Sequence, residues 1–291
     1  MTAVELAPTI AAQPRGAAWR RLWRRPTARV GIVIVAVFLG LTVAAPLLAP
    51  YSPYDQDFAN TLQPPSAEHV FGTDQYGRDV LSRVMYGSRT ALLSIVVADG
   101  LALVLGCALG LIAGFFGTWL DSAIMRVVDV LLAFPYLLLA LIIVAALGPS
   151  LLNSMIAIGI VYTPQYARLI RGQVLSVKTT EFVLAARAIG ARRARIILRH
   201  ILPNSFTPVL VMATLQAGTV VVETAGLSFL GLGAQPPSPD WGAVLADGQG
   251  YFLSAWWIAT FPGLAIFAVV LGFNLVGDAL RDHFDPRRRK E

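Results

Sequence analysis

Charge is scarce in this chain. Asp, Glu, Lys and Arg together make up 14% of its 291 residues, where about 25% is usual for a soluble domain. Apolar residues make up 56%, and mean hydropathy is +0.65. A soluble domain of this length has too little interior to hide so much apolar surface. Lipid is the expected solvent for much of it, and a soluble enzyme is nearly excluded. Cysteine is scarcer still: Cys107 stands alone, which rules out a disulfide framework and any cysteine-built metal site. The three histidines, His69, His200 and His283, lie far apart and offer no ligand spacing, so no metal is expected. Only two lysines occur, Lys178 after Val177 and Lys290 after Arg289. The Gly-Lys-Ser/Thr ending of a phosphate-binding loop therefore cannot exist here. Gly-x-Ser-x-Gly and His-Glu-x-x-His are absent too, and no catalytic residue is expected. Energy for transport would come from an ion gradient or from another polypeptide.

What the chain has is a series of long apolar runs. A membrane-crossing helix needs about 20 mostly apolar residues. Val30 to Tyr54 is free of charge and solidly apolar up to Leu48. Gly100 to Leu120 is a second run, whose pattern reaches upstream through Ala91 and is broken only by Asp99. Val130 to Ala167 is charge-free over 38 residues, too long for one crossing, and Gly148-Pro149 at its middle predicts a turn. Ser205 to Val222 and Tyr251 to Gly277 complete the set. The expected fold is an all-α integral membrane bundle with six crossings, near 30–50, 91–116, 128–147, 151–170, 205–223 and 256–278. The first run exceeds the roughly 7–15-residue core of a signal peptide, and the chain keeps spanning after it, so it reads as a retained helix.

On this reading a basic tail covers 1–29, the first helix 30–50 and an external loop 51–90. A five-helix core follows at 91–280, with a cytoplasmic loop at 171–204, an external loop at 226–255 and a basic tail at 281–291. With the N-terminus inside, cytoplasmic segments hold all but three of the 23 Lys and Arg. The exceptions are Arg78, Arg83 and Arg89, before the second crossing. The opposite topology would put nearly all the positive charge on the wrong face, so both termini are expected in the cytoplasm. Positive charge that borders the membrane also accounts for the pI near 9.8 without nucleic acid. Trp19 and Trp23 read as interfacial anchors, a mobile basic tail being the alternative for 1–15.

Residues 51–90 and 226–255 are dense in glycine and proline, which forces turns. Loops of this length are often functional; a docking surface for a partner and a structured cap over the helix ends both stay open. The internal segment 171–204 has a helical apolar pattern broken at Gly190 and ending at Leu202-Pro203. That order predicts a helix, a glycine turn and a second helix stopped by proline. Gly106, Gly110 and Gly114 recur every four residues and make a smooth stripe for close helix packing, within the bundle or at a subunit interface. Candidates for lining a translocation path are Asp99 and Glu223, because a charge at the bilayer centre costs about 2.5–3.5 kcal/mol on insertion scales. Gln216 and Asn274 are uncharged candidates, with helix–helix hydrogen bonding as the alternative. A proton-coupled secondary transporter using Asp99 or Glu223 is the rival class.

The internal loop reads Glu181-Phe182-Val183-Leu184-Ala185-Ala186-Arg187-Ala188-Ile189-Gly190, nine residues, then His200-Ile201-Leu202-Pro203. This resembles the EAA loop of ABC-importer permeases: Glu-Ala-Ala, three residues, Gly, nine residues, Ile-x-Leu-Pro. Ala185, Ala186, Gly190, Leu202 and Pro203 match in type and spacing, while Leu184 replaces the name-giving Glu and His200 the Ile. Further segments narrow the likeness to the C-type permease subunits of dipeptide and oligopeptide importers (the DppC/OppC subfamily). They are Phe71-Gly72-Thr73-Asp74 through Gly77-Arg78-Asp79, Gly226 through Gly233, Pro236-Pro237, Phe261-Pro262-Gly263, Gly277 through Asp282, and Asp285-Pro286. Nickel, glutathione and other importers share the pattern.

The resemblance implies a MetI-like permease bundle preceded by one extra helix, in a bacterial cell (inner) membrane. It implies a heterodimer with a B-type permease, an external solute-binding protein, and two cytoplasmic ATPase subunits that bind the ATP and Mg. This chain would bind no cofactor. Ala185, Ala186, Arg187, Gly190, Leu202 and Pro203 would form the ATPase-coupling loop, with Pro203 ending its second helix.

Overall fold

The computed structural model describes residues 26–284. Most of the N-terminal tail, with Trp19 and Trp23, and residues 285–291 with their arginines lie outside the described residues. Within them the chain is helical, with one isolated antiparallel bridge, Thr73 to Asp79. Helix α1 is Pro26–Leu48, and α2 is Val80–Phe116, one rod carrying a π turn at Ile95–Asp99. Then come α3 (Thr118–Ala133), α4 (Tyr136–Leu147) and α5 (Leu151–Val177). Short α6 (Glu181–Ala188) precedes α7 (Arg193–Phe229), which carries a second π turn at Ile197–Ile201. Helix α8 is Trp241–Gln249 and α9 is Trp257–Phe284.

Helices start where polar side chains take up free amides. Asp79 accepts from the Ser82 amide, Ser150 from Asn153, and Asp240 from Gly242 and Ala243.

Among the described residues four helices, α1, α2, α7 and α9, are long and apolar enough to cross a membrane. A fifth crossing arises if α3 and α4 are counted together, but they meet at 97°. The expected single helix over 128–147 is therefore corrected: the chain breaks at Pro135, whose ring disfavours a helical conformation in the residue before it, and Phe134 is extended. The second helix also begins at Val80 rather than near 91, so the expected loop 51–90 ends in three helical turns.

The remaining expected crossing, α5, has 27 residues but carries Asn153, Gln165, Arg168, Arg171 and Gln173 and falls short in apolarity. Its position gives the reason. Helix α5 packs against α2, α4 and α7 at the centre of the main core, with Met155, Ile158, Tyr166 and Ile170 fully buried. A helix sheathed by other helices need not be as apolar as one that faces lipid.

Helix α2 reaches α5 through its glycine stripe. A Cβ at Gly110 would lie 3.0 Å from Ile170 Cβ, and one at Gly114 would lie 2.9 Å from Val174 Cβ. Gly106 is pressed as closely on Tyr166. Lipid tails are as apolar as leucine, so helices in a membrane associate by packing contact, and missing side chains allow that contact. The stripe thus faces α5 of the same chain.

Candidate functional site

The elbow between α5 and α7 is built by local rules. The Thr180 carbonyl takes the amides of Val183 and Leu184, starting α6. Glu181 in its first turn and Arg187 in its last suit the helix dipole. At the other end Gly190 has φ +77°. Its amide donates to Arg187 O (3.0 Å), and the Ala191 amide donates to Ala186 O (3.0 Å). These two bonds around a left-handed residue are a Schellman stop, so Gly190 sets the direction in which the chain leaves α6.

Helix α6 presents two faces. Val183 and Ala186 are buried with Val174, Ile196 and Ile201 in the main core. Phe182, Leu184, Ala185, Arg187 and Ile189 are exposed, Ile189 to 84%. Ala185 and Ala186 therefore differ: Ala186 permits close packing inward, and Ala185 belongs to the outer surface. Leu198, 63% exposed on α7, continues the apolar outer face.

Pro203 does not end the second helix. Helix α7 runs through it to Phe229, which corrects the expected stop. A proline ring clashes with the carbonyl four residues back, and the π turn Ile197–Ile201 widens the helix just ahead of it. The Leu202 amide bonds to Ile197 O, five residues back. Asn204 Nδ2 donates to His200 O at 2.6 Å. The elbow's second half and the crossing are thus one continuous helix.

The elbow's base is tied to its neighbours. Arg171 on α5 donates through Nε and Nη2 to both Asp121 oxygens on α3, at 2.5 and 2.7 Å. Lys178 Nζ donates to Gly114 O (2.8 Å), placing a cation at the C-terminal end of α2.

The path candidates do not form one group. Asp99 is buried in the α2 π turn and accepts from the Tyr166 hydroxyl at 2.5 Å. One turn earlier on α5, Tyr162 lies near Gln216 and Glu223 of α7. Gln216 is buried, and its Nε2 has no partner. Tyr166 thus joins α5 to α2 by a buried polar contact. Asn274 is exposed on α9, apart from this group. The tyrosines escaped the sequence reading because an aromatic in an apolar run looks like ordinary core; their spacing of four residues was the available signal.

At the far end of the bundle, residues 51–79 and 230–256 form a cap. Asp74, fully buried, accepts from Arg78 Nε (2.7 Å) and Arg83 Nη1 (2.6 Å). Arg78 Nη2 also donates to Asp247 of α8 (3.0 Å). Asp79 accepts from Ser82 and lies 3.0 Å from His69 Nδ1. The indole nitrogens of Trp257 and Trp241 donate to Thr73 O and Val84 O. Burial pushes the Asp240 carboxyl above the usual range, and hydrogen bonds from Ser228, the Ala243 amide and Thr90 pull it back. Two of the three arginines that break the charge asymmetry, Arg78 and Arg83, are neutralised here. Asp247 is 169 residues from Arg78, so no local pattern announces the pair.

Known proteins match this chain at several levels. The family model described as binding-protein-dependent transport system inner membrane component matches residues 106–290. The model of the N-terminal TM domain of oligopeptide transport permease C matches residues 13–65. The dipeptide transport system permease protein DppC of Alkalihalophilus pseudofirmus is 48% identical, over 96% of this chain and 92% of the relative. The probable D,D-dipeptide transport system permease protein DdpC of Escherichia coli K12 is 45% identical, over 90% and 88%. A glutathione transport system permease protein GsiD of Escherichia coli is 42% identical, over 92% and 89%. Among solved structures, the inward-facing MetNI methionine ABC transporter matches with TM-score 0.57 and 18% identity, over 70% of this chain and 97% of that one. At that identity the likeness speaks for the fold, a MetI-like bundle.

Proposed function

This chain belongs to the family of binding-protein-dependent transport system inner membrane components, and on that premise we propose that it is the C-type permease subunit of an ATP-driven importer of short peptides. It crosses a bacterial inner membrane several times, with both termini in the cytoplasm. A B-type permease completes the translocation path, two ATPase subunits bind and hydrolyse ATP with Mg, and an external binding protein delivers the solute. The chain itself does no catalysis and holds no cofactor.

One observation carries this reading: a small helix with exposed Phe182 and Leu184, followed by exposed Ile189, projects at the end of the bundle where the basic residues concentrate, which supports a cytoplasmic position. An apolar face in water, on an element tied to three helices, suits a partner that pushes. The ATPase subunit grips this face. Because the elbow is continuous with α7 and tied through α5 to α2 and α3, closure of the ATPases moves these helices together. The cavity shared with the B-type permease then opens to one side and the other in turn. Asp99 and Tyr166 hold α2 and α5 in register during that motion.

The relative named for glutathione favours a second solute reading, since glutathione is itself a small peptide. Reconstitution into liposomes tests the whole. Uptake of dipeptide should require ATP, both permeases, the ATPases and the binding protein. Uptake by this chain alone, driven by a pH gradient, would overturn the proposal in favour of a secondary transporter.

A further inference from the structure

Beside the elbow lies a cavity of about 420 Å³, lined by Phe115, Phe116, Arg187, Ala191, Arg193 and Ile196. It opens where the C-terminal end of α2 meets the Schellman stop of α6 and the start of α7. Arg187 Cζ stands 5.9 Å from the Phe115 ring centroid. Among the described residues neither Arg187 nor Arg193 has a carboxylate in ion-pair range, whereas Arg171 and Arg168 on neighbouring α5 are both paired. The cavity is therefore a cationic cup with an aromatic wall.

What enters it is indicated by the surface that leads there. Leu105, Ala108, Ile112 and Phe116 are all exposed, and at spacings of three and four residues they form one stripe along α2. The stripe runs from the middle of a membrane-crossing helix to the mouth of the cup. Trp119, 72% exposed just beyond it, has the amphipathic ring that settles at a membrane–water boundary. Cations at that boundary attract anionic lipid headgroups. A free phosphate would use the arginines and leave the stripe idle, while a phospholipid uses both.

We infer that this chain binds an anionic phospholipid, with its phosphate between Arg187 and Arg193 and an acyl chain along Leu105, Ala108, Ile112 and Phe116 of α2. Such a lipid would contact the elbow, α2 and α7 together. The inference goes beyond the transport reading; only the assignment of this end to the cytoplasm is shared with it.

The test uses the complete transporter in vesicles that mix phosphatidylglycerol and phosphatidylcholine, followed by native mass spectrometry of the lipids retained. Phosphatidylglycerol should be retained preferentially. Arg193→Gln should weaken its retention about fivefold, and Arg187→Gln with Arg193→Gln by roughly the square of that. Ile112→Asp should also reduce retention, whereas inorganic phosphate in the buffer should not compete. Equal retention in wild type and double variant would overturn the inference. So would competition by phosphate, which would mean an anion site only. Lack of preferential retention in the complete assembly would overturn it as well. Lipid retention is read without transport, so failure of the peptide reading leaves this result separately visible.

Discussion

A side chain added at Gly190 meets open space, yet it must accept φ +77°. The cost is therefore backbone strain of about 1–2 kcal/mol for a non-glycine residue, greatest for β-branched ones and least for Asn. Gly190→Val should lose ATP-driven uptake while the protein still reaches the membrane, and Gly190→Asn should keep most of it. Transport assays normalised to membrane content decide this, and normal uptake by Gly190→Val would refute the turn's role. At the opposite end, Asp74 and Arg83 are almost wholly buried. Removing one partner of such a pair leaves an uncompensated charge, at a cost of about 3–5 kcal/mol. Asp74→Asn should lower the unfolding midpoint in detergent far more than Asp129→Asn, whose pair with Arg168 is exposed. Asp57 belongs to the exposed rim of the same cap. The Asn60 amide, then the Ala59 amide, hold its carboxyl below the usual range. It therefore favours the folded turn above the ordinary carboxylate pKa, and this contribution is lost as pH falls through the lowered value. The protection factor of the Ala59 amide, its exchange rate relative to the intrinsic rate at the same pH, should fall on acidification before the core opens.

Among the elements, the α2–α5 pair is the most tightly fitted. Gly110→Leu would force a side chain into Ile170 and the Ala167 backbone, and overpacking of this kind costs about 1–3 kcal/mol or more. The variant should accumulate poorly and unfold earlier. Gly172→Ala, on the open face of α5, should be neutral or slightly stabilising. Comparable losses in both would show that the stripe has no special place. Most helices were legible in the sequence because lipid demands long apolar runs. The break at Pro135 was written there too, although a charge-free interval hides it when only charge is counted. Helix α5 carries more polar residues than a lipid-facing crossing would, and they are tolerated because neighbours enclose it. The Pro203 stop failed because a π turn upstream absorbs the clash, and widened turns leave no composition signal.

For the whole molecule, two tied regions bracket the bundle: a cap of buried charge at one end and an elbow with an apolar outer face at the other. The elbow's residues were readable because they lie within one short stretch at fixed spacing. The cap's partners were not, because Asp74, Arg83 and Asp247 meet only after the chain has folded. The interior tyrosines fall between these cases, local in spacing but ordinary in type. With the cap holding one end and the elbow free to be gripped at the other, force applied to the elbow would be transmitted along α5 and α7.

The most direct test of that grip is a cross-link. Cys107 is the sole native cysteine, so Ile189→Cys in a Cys107→Ser background gives one reporter at the elbow tip. In the complete transporter it should form a short-range cross-link to the ATPase subunit whose yield changes when ATP binds. Efficient labelling of Ile189→Cys by a bulky water-soluble maleimide in every nucleotide state, with no cross-link to the ATPase, would contradict the account.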